Sequence, residues 1–455
     1  MRQADVKIAY IGGGSKAWAR SLMQDLALAG DLAGEVALYD IDLDAAKRNQ
    51  VIGTKIQQKK EARSDFRYSV AVSLKEALTG ADFVLISILP GTFSQMQTDV
   101  HAPEKYSILQ SVGDTVGPGG VFRALRTVPV YEEFAEAIRA YCPKAWVLNL
   151  TNPMSICVKT LYRCFPEIRA FGCCHEVFHT QDFLTCVLRE MTGTEATRRD
   201  IYTDASGINH FTWITEARYR GIDLLELMPA FMERYFDTGY YERGPADQWK
   251  TDTFAYGNRV KMDLMRRYGA LAAAGDRHLV EFVDRSWYLK DRETVARWHF
   301  GLTGVDWRIR NQERLIRESV EMARGQREIP QVTPSGEELV RMLRGILGLE
   351  TVITNVNLPN RGQMPGMPEG SVVETNCIFT NGFVDPVVSK RLPEGALSLV
   401  RRNSDNIDLL SEGIAERNRD KVFASFINQP LCAGIRPSEA EELFETMWSE
   451  TQTVW

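Results

Sequence analysis

The stretch KIAYIGGGSKAWAR, Lys7 to Arg20, decides how the N-terminal half of this chain folds. An apolar run stops at three glycines, and an amphipathic segment starts a few residues later. That order predicts strand, tight turn and helix. Gly12, Gly14 and Ala17 fit the spacing G-x-G-x-x-G/A, with Gly13 and Ser15 completing the loop. The first glycine allows the turn, the second a close backbone approach, and the third small residue the packing of helix on strand.

Outward from that turn, the same rhythm repeats. VKIAYI (6–11), EVALYD (35–40), DFVLISI (82–88), AWVLNL (145–150) and IRAFGCC (168–174) read as strands. Between them SKAWARSLMQDLALAG, LDAAKRNQVIGTKIQQKK, RALRTVPVYEEFAEAIRAY and PMSICVKTLYRC read as helices. Nearly continuous apolar strands alternating with helices predict a Rossmann-like, doubly wound parallel sheet covered on both faces.

After Gly207 the rhythm changes. INHFTWITEARYRGIDLL predicts an antiparallel hairpin turning around Tyr219, Arg220 and Gly221, and 354–387 predicts two antiparallel strands with a Gly/Pro-rich connection. The last sixty or so residues read as helical. The expected organisation is a nucleotide-binding domain over 1–200, packed on a C-terminal α+β domain over 201–455 that carries substrate, metal and oligomer contacts.

The chain has 455 residues, is 44% hydrophobic and 25% charged, and carries a net charge of −6 without basic clusters. No nucleic-acid or membrane partner is expected. The glycines interrupt the N-terminal apolar run too early for a signal-peptide core, so a cytoplasmic location is expected. Eight scattered cysteines fit neither a disulfide framework nor a paired C-x-x-C zinc pattern.

The glycine turn followed by a helix N-terminus suits a pyrophosphate. Asp40, ending the next strand, is placed to accept hydrogen bonds from ribose hydroxyls, which favours NAD over its 2'-phosphorylated form. Pro90, in ILPG (88–91), ends a further strand where a dinucleotide would pass.

CCHEVFH, 173–179, contains a literal His-Glu-x-x-His, the spacing of a zinc-protease helix. Because the strand IRAFGCC runs straight into it, His175 is expected before the helix begins, breaking the i, i+4 geometry. That placement instead puts Cys174 and His175 at the carboxyl edge of the sheet, where ligands of open α/β folds bind. TNP (151–153), GDTVGPGG (113–120) with Asp114, and GINH (207–210) converge on the same edge. A cysteine and a distant histidine suit a divalent metal that keeps positions open for substrate oxygens. Each residue alone also fits an ordinary role: Cys174 a core thiol, His210 a core histidine, Asn152 an Asx turn.

Together KIAYIGGGS, Thr-Asn-Pro, Cys-His-Glu-Val, Gly-x-Asn-His and NVNLPN resemble the family 4 glycoside hydrolases, over almost the whole chain. These are NAD- and divalent-metal-dependent glycosidases. The CHEV form resembles the subgroup acting on α-linked uronic acids, notably the α-galacturonidases. The resemblance implies oxidation at sugar C3, loss of the C2 proton, elimination of the glycosidic oxygen, water addition and return of the hydride. It implies Cys174 and His210 as ligands for manganese or another divalent metal, His175 as the acid near the leaving group, and Asp114 and Asn152 as substrate contacts, Asn152 also flanking NAD. Asp276 stands where the base is expected, with Tyr256 and Tyr268 as alternatives. Arg277 beside His278 would clamp the carboxylate of a uronic-acid glycoside or oligogalacturonide. A homodimer or homotetramer is expected. Rival readings are relatives acting on α-glucuronide, α-glucoside or α-galactoside, an NAD-dependent 2-hydroxyacid dehydrogenase, whose Asp-Arg and His relay is not evident, and a non-catalytic NAD sensor.

Overall fold

The computed structural model describes residues 3–242 and 244–451. Six parallel strands form its N-terminal half: β1 (Ala4–Ile11), β2 (Leu32–Tyr39), β3 (Asp65–Ala71), β4 (Phe83–Ile86), β5 (Trp146–Asn149) and β6 (Arg169–Gly172). They lie in the order β3-β2-β1-β4-β5-β6, all pairs parallel. The order reverses between β1 and β4, the switch point at which open α/β sheets bind nucleotides.

Apolar side chains on both faces of these strands explain the two helical layers. Ile8, Tyr10 and Leu85 are buried on one face with the helices Trp18–Leu28 and Leu43–Gln57. Ala9, Ile11, Val84 and Ile86 are buried on the other with Gly117–Tyr141 and Met154–Cys164. Each fully buried aliphatic side chain contributes about 1.5–3 kcal/mol, so the central strands anchor this half. β3 has no counterpart in the sequence reading because DFRYSVA alternates exposed and buried positions, as suits an edge strand.

The second half continues the same sheet. β7 (Tyr202–Ile208), β8 (Phe211–Tyr219), β9 (Ile222–Asp223), β10 (Leu271–Ala272), β11 (Val352–Pro359), β12 (Val372–Thr380) and β13 (Phe383–Pro386) are antiparallel to their neighbours. β11 joins β6 at Asn357 and Gly172, completing a 13-stranded sheet. The C-terminal strands thus extend the parallel sheet edge to edge, while Met322 and the helix Leu339–Ile346 return to the core of the first half. We propose the boundary near residue 200 as a division of the chain within one shared sheet.

The hairpin at Tyr219–Gly221 is present between β8 and β9. The turn that matters to the site lies earlier, at Asn209–His210 between β7 and β8, where His210 adopts a left-handed backbone with φ 64°. All eight cysteines are free. No helix among the described residues is long and apolar enough to cross a membrane.

Candidate active site

The glycine turn after β1 is built for close approach. Gly12 has φ 88°, and a Cβ there would lie 2.0 Å from the Ser87 carbonyl oxygen. Gly14 donates its N–H to Asp40 Oδ2 at 2.8 Å, and Asp42 donates to Oδ1 at 2.9 Å. Asp40 therefore braces the turn while each oxygen keeps a lone pair for a ribose hydroxyl. Asn49 ties the loop down from below, its Nδ2 donating to the carbonyls of Gly13 and Ser15. Behind Pro90, the Ile88 N–H donates to Thr151 Oγ1 at 2.9 Å, which fastens the loop after β4 to the one carrying Asn152. This glycine cradle and its carboxylate fit a dinucleotide.

Beside it opens a cavity of about 300 Å³, within the usual range for small-ligand sites. Asp114, Asn152, Cys174, His175, His210, Arg277 and His278 all line it. The loop after β6 brings Cys174 and His175, the β7–β8 turn brings His210, and the short helix Asp276–Leu279 brings Arg277 and His278.

Thr115 Oγ1 donates to Asp114 Oδ1 at 2.8 Å, so its oxygen is left to accept the Nδ1 proton of His210, 2.9 Å away. That network assigns the Nδ1–H tautomer and leaves Nε2 with a free lone pair. Burial keeps His210 neutral by lowering its pKa. The Cys174 thiol is raised well above its ordinary value, by burial first and then by the Glu374 and Glu176 carboxylates, so its ionisation calls for a cation. Asn152 Oδ1 is buried with no partner. A neutral imidazole, a thiol awaiting a cation and an orphaned carbonyl oxygen fit a divalent metal.

Burial opposes the charge of Asp114, but Arg123 and Arg308 outweigh it and hold the group well below the usual carboxylate range. For His175 burial also opposes the charge, and Glu337 and Glu176 reverse the balance, raising its pKa. A cavity-facing histidine that keeps its proton suits an acid.

Asp276 does not line the cavity. It is fully buried, and its oxygens accept the N–H groups of Val260 at 3.2 Å and Lys261 at 3.0 Å, at the start of the helix Arg259–Tyr268. Burial raises its pKa to about 6, a value apt for a base, but its lone pairs face a helix N-terminus. The structure therefore places Asp276 as a cap on that helix, away from the cavity lining. Of the alternatives, Tyr268 packs edge-on against Trp213 and does not line the cavity. Tyr256 is likewise outside the cavity lining but lies over Gly275, whose N–H donates to the cavity-lining Glu176 Oε2 at 2.6 Å.

The two residues of the expected clamp both line the cavity but differ in charge. Arg277 bonds Thr303 Oγ1, lies 4.5 Å from the Phe254 ring centroid, and keeps a buried Nε without a partner. His278 packs against His210 with ring centroids 4.0 Å apart and the rings tilted by 36°, and burial with its neighbour His210 pushes its pKa down to about 3. A neutral ring cannot supply the second positive charge. Arg308 lines the same cavity and donates to the Val112 carbonyl at 2.7 Å.

The His-Glu-x-x-His geometry needs correcting as well. β6 ends at Gly172, and His175 takes a helical backbone at the N-cap of Glu176–Thr192. The His179 N–H reaches the His175 carbonyl at 3.1 Å, and the two rings lie 4.7 Å apart. The i, i+4 relation therefore survives. Glu176 and Arg308 had no role in the sequence reading. Glu176 could have been suspected as a lone carboxylate immediately after a buried strand; Arg308 is hidden among the many arginines of its helix.

Residues 7–190 match the model of the family 4 glycosyl hydrolases, and 205–432 match the model of that family's C-terminal domain. An α-galacturonidase of Thermoanaerobacter italicus is 51% identical over 98% of this chain and 96% of its own. The crystal structure of the Bacillus subtilis protein lplD superposes with a TM-score of 0.92 at 45% identity, covering 98% of this chain and all of the other. A 6-phospho-β-glucosidase of Thermotoga maritima, solved with manganese, NAD+ and glucose-6-phosphate, has the same fold at 21% identity, with a TM-score of 0.76 over 98% of both chains. On this agreement along nearly its full length, the chain belongs to family 4 of the glycosyl hydrolases.

Proposed function

We propose that this chain is an α-galacturonidase that uses NAD and a divalent metal, manganese or a close substitute. The observation that carries the substrate reading is the pair of guanidinium groups, Arg277 and Arg308, in the wall of a cavity whose neighbouring histidines His210 and His278 are neutral. Two fixed cations suit a planar carboxylate on the sugar. The name is also that of the Thermoanaerobacter relative and of three others at 45–48% identity.

In this reading Gly12, Gly13, Gly14, Ser15 and Asp40 hold the dinucleotide, with Pro90 and Asn152 flanking it, and Cys174 and His210 hold the metal. When bound, the dinucleotide would supply a reversible hydride acceptor and the metal a Lewis acid for sugar oxygens. Arg277 and Arg308 grip the carboxylate and fix the ring. Asp114 and Asn152 receive the sugar hydroxyls. Tyr256 takes the C2 proton in place of Asp276, and His175 gives a proton to the departing glycosidic oxygen. A homodimer or homotetramer and a cytoplasmic location accompany this reading through the family resemblance.

The test compares p-nitrophenyl α-galacturonide with p-nitrophenyl α-galactoside, with NAD and manganese present. The uronide is expected to turn over faster by at least about 100-fold, the worth of one charge-assisted contact pair of roughly 3 kcal/mol. Arg308→Met should remove most of that preference by raising KM for the uronide far more than for the galactoside. Equal turnover of both glycosides by the wild type would refute the uronide reading.

A further inference from the structure

The surviving His-Glu-x-x-His leaves a cluster that the glycosidase site does not use as a unit. Ligand atoms of His175, Glu176 and His179 all lie within 4.8 Å of one another. Glu176 Oε2 is already engaged by the Gly275 N–H, which leaves Oε1 facing inward. His175 Nε2 stands 3.8 Å from that oxygen and His179 Nδ1 3.9 Å, with His278 Nε2 also 3.6 Å from it. Around a tetrahedral zinc with bonds near 2.1 Å, ligand atoms sit about 3.4 Å apart, so closure draws each histidine about half an ångström closer to Glu176 and the two histidine nitrogens together by up to about 1.4 Å.

The surroundings resemble a prepared metal shell. Glu337 Oε1 lies 3.3 Å from His175 Nδ1, the nitrogen facing away from the cluster, where a carboxylate orients a ligating imidazole and raises its basicity. Trp18 stacks on the His175 ring at 5.3 Å and 17°, restricting its rotation. The His179 side chain is half exposed, at 49%, and gives an ion a path in from solvent.

We propose that His175, Glu176 and His179 form a second divalent-cation site, separate from Cys174 and His210 and selective for zinc-class ions, and that filling it disables His175. Two imidazoles and a carboxylate favour zinc, cobalt or nickel over manganese. The disabling rests on His175 being the proton donor; the existence of the site does not.

The test is zinc stoichiometry on the NAD-loaded, full-length protein by equilibrium dialysis and atomic emission. Wild type should hold two zinc ions per chain, Cys174→Ser one, His179→Ala one, and the double variant none. His179 is half exposed, so its replacement is compatible with folding, and His179→Gln serves as a second variant. Zinc titrated onto the manganese-loaded enzyme should inhibit it, and His179→Ala should raise the inhibiting concentration at least tenfold. If His179→Ala and His179→Gln bind as much zinc as wild type, or Cys174→Ser binds none, the site is refuted. Should the second equivalent vanish while the inhibition curve stays put, the link to His175 is wrong.

Discussion

Thr115 Oγ1 lies 2.9 Å from His210 Nδ1, and the same hydroxyl donates to Asp114. A single side chain thus sets the tautomer of the expected metal ligand and joins it to a substrate contact. Loss of such an outer partner typically lowers metal affinity 10–100-fold. Thr115→Val should weaken manganese binding by about tenfold in a direct titration, and Thr115→Ser should restore it. Unchanged affinity in Thr115→Val would return the tautomer to chance.

Asp40 has two tasks, since it braces Gly14 and presents lone pairs to a ribose. Asp40→Ala should weaken NAD binding by about 1–3 kcal/mol, read by calorimetry. Asp40→Asn keeps an acceptor for Gly14 and should fall between the two. In the wild type, turnover should need NAD without accumulation of NADH at 340 nm; stoichiometric NADH growth with product would favour a dehydrogenase.

Much of this arrangement is legible in the sequence where a residue type has few alternatives. Glycines abutting an apolar strand, and a carboxylate ending the next strand, leave little choice but a nucleotide turn. The places of Cys174 and Asn152 likewise follow from standing at the ends of β6 and β5, while His210 is singled out by the family resemblance. The edge strand β3 and the polar-rich β7 escape notice because neither offers a continuous apolar run. Asp276 shows a deeper limit: a carboxylate after glycine looks the same in one dimension whether it faces a sugar or the N-terminus of a helix fifteen or so residues upstream. The His-Glu-x-x-His fails for a related reason, since the backbone of one N-cap residue, His175, decides whether the spacing is helical.

Glu281 gives a prediction about pH. It is fully buried beneath the Asp114 loop and accepts the N–H groups of Val112 at 2.7 Å and Gly113 at 2.9 Å. Burial raises its pKa from 4.5 to about 7. The folded state therefore holds this proton more tightly than the unfolded chain, and the stability so gained is present below pH 4.5 and is lost as pH rises towards 7. At one pKa unit per 1.36 kcal/mol, the loss is about 3 kcal/mol at most. Glu281→Gln keeps an acceptor for both N–H groups and cannot ionise. It should raise Tm at pH 8 relative to wild type and leave it nearly unchanged at pH 4.5; a variant that tracks wild type at every pH would mean that Glu281 titrates normally.

The choice between Tyr256 and Asp276 decides the chemistry at C2. A proton on a carbon beside an ordinary alcohol is far too weak an acid for any side chain, whereas beside a carbonyl at C3 a positioned base can remove it. Asp276 has the better pKa, but both its oxygens are held by Val260 and Lys261. Burial raises the Tyr256 phenol well above its ordinary value, and the Glu176 carboxylate adds to this, which opposes its ionisation. Turnover in heavy water should place deuterium at C2 of the released sugar, a position that direct displacement at the anomeric carbon never touches. Tyr256→Phe should abolish deuterium entry and hydrolysis together, while Asp276→Asn, which keeps an acceptor for the helix, should retain both within about tenfold. The opposite pattern would make Asp276 the base after all, and hydrolysis with C2 fully protonated would remove the elimination route altogether.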